Sequence, residues 1–259
     1  MEWENGVQQG LIEIGGFQLQ IYSVVMALAT LLGFAVAVGA GSRRGLRALD
    51  VADAALWVAI GGILGARLEY VLVNAEYFGE RPGDALAVWQ GGFAYHGGLL
   101  SGVLVLALWT ALKHEPFWRM ADVLALGLCL GVALGWAACL YGGCAYGQMG
   151  FGLFYFNWYD IFGVSASRFA VQPLGLALNL ALFALLYARQ DRMPFPGATF
   201  TAFLLVSGAI HFGLSMGRAD ETVLWHGLRV EQWLAALQMA AGVAAGAVCR
   251  LQNGRRVLA

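Results

Sequence analysis

Hydrophobic residues are gathered into long runs that contain no Asp, Glu, Lys or Arg. These runs cover residues 14–42, 85–112, 123–159, 169–188, 193–217 and 232–249. A further run, 52–74, is apolar apart from Asp53, Arg67 and Glu69. Because a helix needs ~20 mostly apolar residues to cross a bilayer, the pattern predicts an all-α polytopic membrane protein. The predicted spans are about 18–40, 52–74, 93–112, 120–141, 171–189, 195–217 and 231–250.

The run 123–159 is too long for a single span. It continues into the glycine- and aromatic-rich sequence GQMGFGLFYFNWYDIFG at 147–163, which predicts an outer loop or an interfacial segment. No shift in composition marks a domain boundary. Residues 1–259 are therefore predicted to form a single membrane domain.

Composition agrees with this class. Hydrophobic residues make up 60% of the chain and charged residues 12%, about half the ~25% of an ordinary soluble domain. Apolar residues dominate too strongly for a disordered chain. The net charge of −1 gives no electrostatic reason to expect a nucleic-acid partner.

The distribution of Lys and Arg predicts an orientation. One set of loops holds Arg43, Arg44, Arg47, Lys113, Arg119, Arg189, Arg192, Arg250, Arg255 and Arg256, and the other holds Arg81, Arg168, Arg218 and Arg229. The richer set is expected to face the cytoplasm. The amino terminus is then outside and the carboxyl terminus inside. The first span, preceded by Glu2 and Glu4, is not expected to be a cleaved signal peptide.

Polar residues within the spans are concentrated near the predicted outer ends. They are Tyr22, Arg67, Glu69, His96, Cys139, Cys144, Gln172, His211, Ser215, Arg218 and Gln232. Such groups are costly in a bilayer and often functional, so their common level predicts a cavity open to the outer leaflet. Capping of helix ends is the alternative for Tyr22, Gln172 and Gln232. Arg67 is expected to meet a ligand phosphate or an acid on another helix.

Cys139 and Cys144 leave several interpretations open. They face the predicted oxidising side, where a disulfide is possible, and they could equally be small apolar fillers. A thiol beside His96 or His211 would be an activated nucleophile. Two cysteines and two histidines could also bind zinc, although the Cys-x4-Cys spacing is a weak metal signature.

The sequence Val88-Trp89-Gln90-Gly91-Gly92-Phe93-Ala94-Tyr95-His96-Gly97-Gly98 resembles the signature of prolipoprotein diacylglyceryl transferases. The family pattern is an acid, Gly-Gly, three residues and His-Gly-Gly. GARLEYVL at 65–72 is similar to the family segment that contains Arg67. Weaker similarities are Tyr22 in the first span, Gly147, Arg218 with Asp220, and Gln232.

The resemblance implies a specific reaction. The family moves a diacylglyceryl group from phosphatidylglycerol to the lipobox cysteine of a secreted preprotein, forming a thioether while glycerol phosphate leaves. His96 would be the base or a donor to the headgroup, and Arg67 and Arg218 would contact the phosphate. The glycines beside His96 would let the headgroup approach the backbone. No metal or other cofactor is implied, and the location would be the bacterial inner membrane.

The chain departs from the family pattern around the fourth span. Trp136 stands where the family has an arginine, Cys139 and Gly142 stand for asparagines, and Cys144 stands for a glutamate. A tryptophan cannot bind a phosphate as a guanidinium does.

Further departures are His211 for an arginine, Ser215 for a glutamate and Gln90 for the acid before Gly-Gly. The candidate catalytic residues are His96, His211 and Cys144. The candidate substrate-binding residues are Tyr22, Arg67, Gly91, Gly92, Gly97, Gly98, Gly147, Arg218 and Gln232. The predicted function is a diacylglyceryl transferase or a relative with a changed substrate; an inactive lipid- or lipoprotein-binding homologue and, less favoured, a transporter are the alternatives.

Overall fold

The computed structural model describes residues 11–14, 17–88 and 91–258, so Trp89 and Gln90 of the signature and the residues before 11 lie outside the described residues. Its helices are α1 (Ile21–Arg43), α2 (Ala48–Val73), α3 (Ala75–Glu80), α4 (Tyr95–Lys113), α5 (Phe117–Gly142), α6 (Val171–Arg189), α7 (Ala198–Ser215) and α8 (Val230–Leu258). In this part of the chain, all except the short α3 are long and apolar enough to cross a membrane, which gives 7 candidate spans. The all-α membrane fold is therefore confirmed.

The spans alternate in direction along the chain. The links 44–47, 114–116 and 190–197 are short, whereas 74–94, 143–170 and 216–229 are long. The long links lie at one end of the bundle, where α2, α5 and α7 end and α4, α6 and α8 begin. Helix α1 begins at the same end. We call this the hairpin end. It collects the polar residues that the sequence places at one level.

Within the described part of the chain, three two-stranded antiparallel hairpins occupy the hairpin end. They pair β1 (Leu11–Ile14) with β2 (Phe17–Gln20), β3 (Tyr155–Tyr159) with β4 (Ser165–Phe169), and β5 (Leu224–Trp225) with β6 (Leu228–Arg229). The segment 147–163 is thus part of a folded hairpin, which the sequence analysis did not predict. His226 and Gly227 between β5 and β6 both have positive φ, as the central residues of a type I′ turn do.

Close contacts between glycines set the spacing of the spans. A Cβ atom on Gly127 of α5 would collide with the backbone of Gly33 on α1. In the same way, a Cβ on Gly65 of α2 would collide with Ser101 of α4. Small residues allow such approaches where lipid supplies no hydrophobic driving force. The α2–α4 contact fixes the start of α4, where the candidate histidine lies.

A buried carboxylate holds α5 against the start of α7 at the opposite end of the bundle. Asp122 accepts hydrogen bonds from the backbone N–H groups of Gly197 (2.8 Å) and Phe200 (2.9 Å) and pairs with Arg44 at 3.4 Å. An anionic oxygen at a helix amino terminus also meets the favourable end of the helix dipole. This contact therefore replaces the capping side chain that α7 lacks.

The substitution Asp122→Asn is expected to lower the free energy of unfolding by about 1–3 kcal/mol, because one N–H and the Arg44 guanidinium lose their charged acceptor. Titration of detergent-solubilised protein with sodium dodecyl sulfate measures this change. The matched control is Asp50→Asn, whose partner Arg47 lies 3.6 Å away with an 80% exposed side chain; exposed pairs contribute ~1 kcal/mol or less. Equal effects of the two substitutions would contradict the structural role of Asp122.

Candidate functional site

His96 is positioned by contacts between the first turn of α4 and α2. Ala94, the residue before α4, is extended and donates its N–H to the carbonyl of Ala66 at 3.0 Å. Three residues further on, in the first turn of the helix, the N–H of Gly97 donates to Glu69. The carboxylate of α2 thus caps the amino terminus of α4 and fixes the backbone on both sides of His96.

Four rings meet beside this helix start. The centroids of His96 and His211 are 6.1 Å apart, so the structure brings the two candidate histidines together. Tyr95 stacks on His211 at 4.3 Å with an interplanar angle of 12°, and Trp136 lies 5.7 Å from His211. We call these residues the ring cluster. Tyr95 was missed by the sequence analysis, although it directly precedes the signature histidine.

The hydrogen bonds of the ring cluster define a tautomer and leave a free nitrogen. Nδ1 of His211 lies 3.0 Å from the carbonyl oxygen of Ser207. Because a carbonyl only accepts, Nδ1 carries the proton and Nε2 of a neutral His211 bears the lone pair. Among the described residues, Nε2 of His96 is buried and has no hydrogen-bond partner. A buried polar atom without a partner is uncommon and calls for a functional explanation.

A second buried polar atom belongs to Tyr95. Its hydroxyl has no well-formed hydrogen bond within the described part of the chain, although Ser207 and Gln238 lie next to it. The Gln238 amide donates to the Ser207 hydroxyl at 2.7 Å and to the Leu204 carbonyl at 3.1 Å. The ring cluster is therefore connected through α7 to α8.

Arg67 makes neither of its predicted contacts within the described residues. Its side chain donates to the backbone carbonyls of the 74–94 link, namely those of Asp84, Ala85, Ala87, Gly91 and Gly92. These bonds use both terminal nitrogens and Nε, and the residue is 7% exposed. Backbone carbonyls thus occupy the donors of Arg67 in this structure, and binding of a substrate phosphate by Arg67 stays a prediction.

Arg218 lies in a network of two arginines and two acids. It pairs with Asp220, and its Nη2 is 3.9 Å from Glu231. Arg229 approaches the same acids, at 3.2 Å from Asp220 and 3.7 Å from Glu231. Arg218 lies three residues after the end of α7, the helix that carries His211. It is a candidate phosphate-binding residue whose charge is already paired with acids.

The signature glycines are explained largely by packing. Gly91 and Gly92 have φ values of 82° and 78°, which favour glycine, and a Cβ on Gly92 would collide with Tyr70 and Arg67. A Cβ on Gly97 would collide with Glu69, and one on Gly98 would lie 3.1 Å from the Gly62 carbonyl. Gly97 and Gly98 therefore pack closely against α2, which explains both glycines without a ligand, and contact with a lipid headgroup stays a prediction.

Other candidate residues also make structural contacts. Gln232 accepts the N–H of Arg229 at 2.9 Å, which is the backward bond of a helix-capping box and agrees with the capping alternative. A Cβ on Gly147 would collide with the Phe169 carbonyl, so close backbone packing explains this glycine. Gln172 donates to the Cys144 carbonyl at 2.9 Å. The ring of Tyr22 packs against Gly142 at the end of α5.

Cys139 and Cys144 form a disulfide. This bond agrees with one of the alternatives left open by the sequence. A disulfide sulfur has no thiolate to offer as nucleophile or ligand, so the structure corrects the expectation that Cys144 is catalytic. Within the described residues, no group of at least three His, Cys, Asp or Glu side chains is placed to hold a metal ion.

The disulfide is expected to stabilise the end of α5 without taking part in chemistry. Closing a loop with a sequence separation of 5 contributes about 2 kcal/mol in the chain-entropy description. The double substitution Cys139→Ser, Cys144→Ser should therefore lower the free energy of unfolding in sodium dodecyl sulfate by that amount. An unfolding free energy equal to that of the parent protein would contradict this stabilising role.

Comparison with known proteins agrees with the signature. The family model described as prolipoprotein diacylglyceryl transferase matches residues 9–248. A phosphatidylglycerol–prolipoprotein diacylglyceryl transferase of Synechococcus elongatus is 38% identical over 125 residues, which cover 48% of this chain and 43% of that protein. One of Symbiobacterium thermophilum is 29% identical over 237 residues, covering 87% of each chain.

A transferase of Bacillus licheniformis is 36% identical over 123 residues and is matched over 46% of its length. The matches to the Synechococcus and Bacillus proteins thus span less than half of those relatives. The family match covers almost the whole chain, including the signature, the ring cluster and the Arg218 network. The chain belongs to the prolipoprotein diacylglyceryl transferase family.

Proposed function

We propose that this protein is a membrane-embedded transferase of a bacterial inner membrane. It moves a diacylglyceryl group from phosphatidylglycerol to the lipobox cysteine of a prolipoprotein, and its hairpin end faces the outer side. Family membership and the names of the relatives support the reaction class. The observation that carries the proposal for this chain is the unpartnered, buried Nε2 of His96 beside His211.

The reaction is an alkyl transfer to sulfur. The cysteine thiol gives its proton to Nε2 of His96, and the sulfur forms a bond to the terminal glyceryl carbon. The bond between that carbon and the phosphate oxygen breaks, and glycerol phosphate leaves with the electron pair. A thiolate is the reactive form of cysteine, so a base within reach of the thiol lowers the barrier.

Each remaining residue of the site has a defined role in this scheme. His211 is oriented by the Ser207 carbonyl and presents Nε2 as an acceptor that can relay the proton. Arg218, three residues after the helix that carries His211, supplies a positive charge at the hairpin end, which favours charge accumulating on the departing phosphate. Glu69 fixes the backbone at Gly97 and is a positioning residue for His96.

A second candidate function is lipid or lipoprotein binding without turnover. It is favoured by one observation: Arg67, Arg168, Arg218 and Arg229 already bond to carbonyls or acids. A leaving phosphate would have to compete with Asp220 and Glu231 for Arg218. A homologue that only binds lipid needs no free arginine for a leaving phosphate, because it catalyses no transfer.

A transfer assay separates the two candidates. Membranes from a host that lacks its own transferase, expressing this chain, are given labelled phosphatidylglycerol and a lipobox peptide. A labelled thioether on the cysteine peptide, and none on the same peptide with cysteine replaced by serine, supports the transferase. Folded protein that retains phosphatidylglycerol through purification but gives no product would overturn it in favour of the binding homologue.

A further inference from the structure

The turn of the β3–β4 hairpin exposes a compact group of apolar side chains. We call residues 160–164 the hairpin tip. Ile161 is 63% exposed, Phe162 71% and Val164 50%. The preceding part of the same link adds Phe151, which is 95% exposed. Exposed apolar side chains grouped as at the hairpin tip usually mark a contact with a membrane or another molecule.

The hairpin tip lies at the level of the last turn of a membrane span. The indole nitrogen of Trp158 donates to the carbonyl of Leu140 in α5 at 2.9 Å. A Cβ on Gly143, directly after α5, would lie 2.7 Å from the carbonyl oxygen of Asp160. The hairpin is therefore folded back onto the end of α5, and its tip lies beside the last turn of this candidate span.

The polar groups of the hairpin tip are satisfied within the hairpin. One carboxylate oxygen of Asp160 accepts the N–H groups of Phe162 and Val164, each at 2.9 Å. The N–H of Gly163 donates to the Asp160 carbonyl at 3.0 Å, and the N–H of Asp160 donates to Val164 at 3.1 Å. Internal pairing of this kind is what a backbone segment requires where water is scarce.

The charged side chains of the link 143–170 are also buried. Asp160 and Arg168 are the charged residues of this link. They pair at 2.8 Å, and their side chains are 8% and 4% exposed. Arg168 is further covered by the ring of Tyr146 at 4.8 Å. The link consequently presents aromatic and aliphatic side chains with its charges buried.

We propose that the hairpin tip inserts into the interfacial layer of the lipid bilayer beside α5. Aromatic side chains concentrate in that layer, and apolar groups of interfacial segments enter it by about 5–10 Å. The position beside Leu140 favours lipid as the partner over a soluble protein. Insertion of the tip requires no turnover and is independent of the proposed reaction.

Fluorescence of a label at the tip tests the insertion. The variant Phe162→Cys is labelled with an environment-sensitive nitrobenzoxadiazole dye in nanodiscs of phosphatidylglycerol and phosphatidylethanolamine. Glu221→Cys, an exposed position in another link at the hairpin end, is the matched control. Background is measured on the parent chain, since Cys129 and Cys249 are buried and Cys139 and Cys144 form a disulfide.

Phospholipids carrying a doxyl spin label high on the acyl chain should quench the dye at Phe162→Cys at least about twofold more than at Glu221→Cys, given the expected depth of insertion. Equal quenching at the two sites would overturn the proposal. An emission change with an added signal peptide, without doxyl quenching, would overturn it in favour of protein docking. If Phe162→Cys does not fold, quenching of the same dye at Val164→Cys is compared with quenching at Glu221→Cys and decides the result.

Discussion

Replacing His96 by alanine is expected to reduce lipid transfer by about 10²–10⁴-fold, the usual contribution of a positioned general base. The fold should survive, because Nε2 of His96 makes no hydrogen bond among the described residues. Initial rates of thioether formation, divided by the amount of folded protein in the membrane, measure the effect. The matched control is His114→Asn at the opposite end of α4, where His114 adopts a left-handed conformation that asparagine tolerates.

The pair of imidazoles can be examined with a second substitution. His211→Phe keeps a ring to stack on Tyr95 and Trp136 but removes both nitrogens. If the two histidines act as one catalytic unit, the double variant His96→Ala, His211→Phe should transfer lipid no more slowly than His96→Ala alone. The effects of substitutions within one catalytic unit are not additive. An unchanged rate for His96→Ala would exclude it as the base and leave Nε2 of His211 as the remaining candidate acceptor for the thiol proton in the ring cluster.

The membrane fold could be predicted because each span is a long run free of charge. Seven such segments follow from length and hydropathy alone, and tertiary contacts shift only their ends. The β3–β4 hairpin could not be predicted in this way. Tyr155–Tyr159 has no alternation of apolar and polar residues, and the buried pair of Asp160 with Arg168 forms only once the strands are in register.

The candidate site shows a similar division. The level of the polar residues and the nearness of His96 to His211 follow from the order and direction of the spans. The role of Arg67 does not, because its acceptors are backbone carbonyls, which every residue carries and no motif reports. The disulfide between Cys139 and Cys144 was one of several interpretations of these cysteines. The spacing of two cysteines alone does not distinguish a disulfide from two small apolar side chains in the core.

Replacing Arg67 by methionine is expected to lower the free energy of unfolding by about 3–5 kcal/mol, because several backbone carbonyls lose their donor and each buried acceptor left unsatisfied costs about 1–3 kcal/mol. Methionine fills the space of the aliphatic stem but leaves the carbonyls of the 74–94 link without donors. That link precedes α4, so its loss of order should also weaken the start of the helix that carries His96. Unfolding in sodium dodecyl sulfate and the rate of proteolysis within the link measure the two consequences.

Arg81→Met is the matched control, since Arg81 lies in the same link, is exposed and stacks over Tyr77; its replacement should cost ~1 kcal/mol or less. Arg67→Lys should fall between the two, because an ammonium has three donors and lacks the planar fork that reaches several carbonyls at once. A stable Arg67→Met protein that fails in phosphatidylglycerol binding would contradict this assignment. Arg67 would then bind the substrate headgroup, and its hydrogen bonds to the 74–94 link would form only when no substrate is bound.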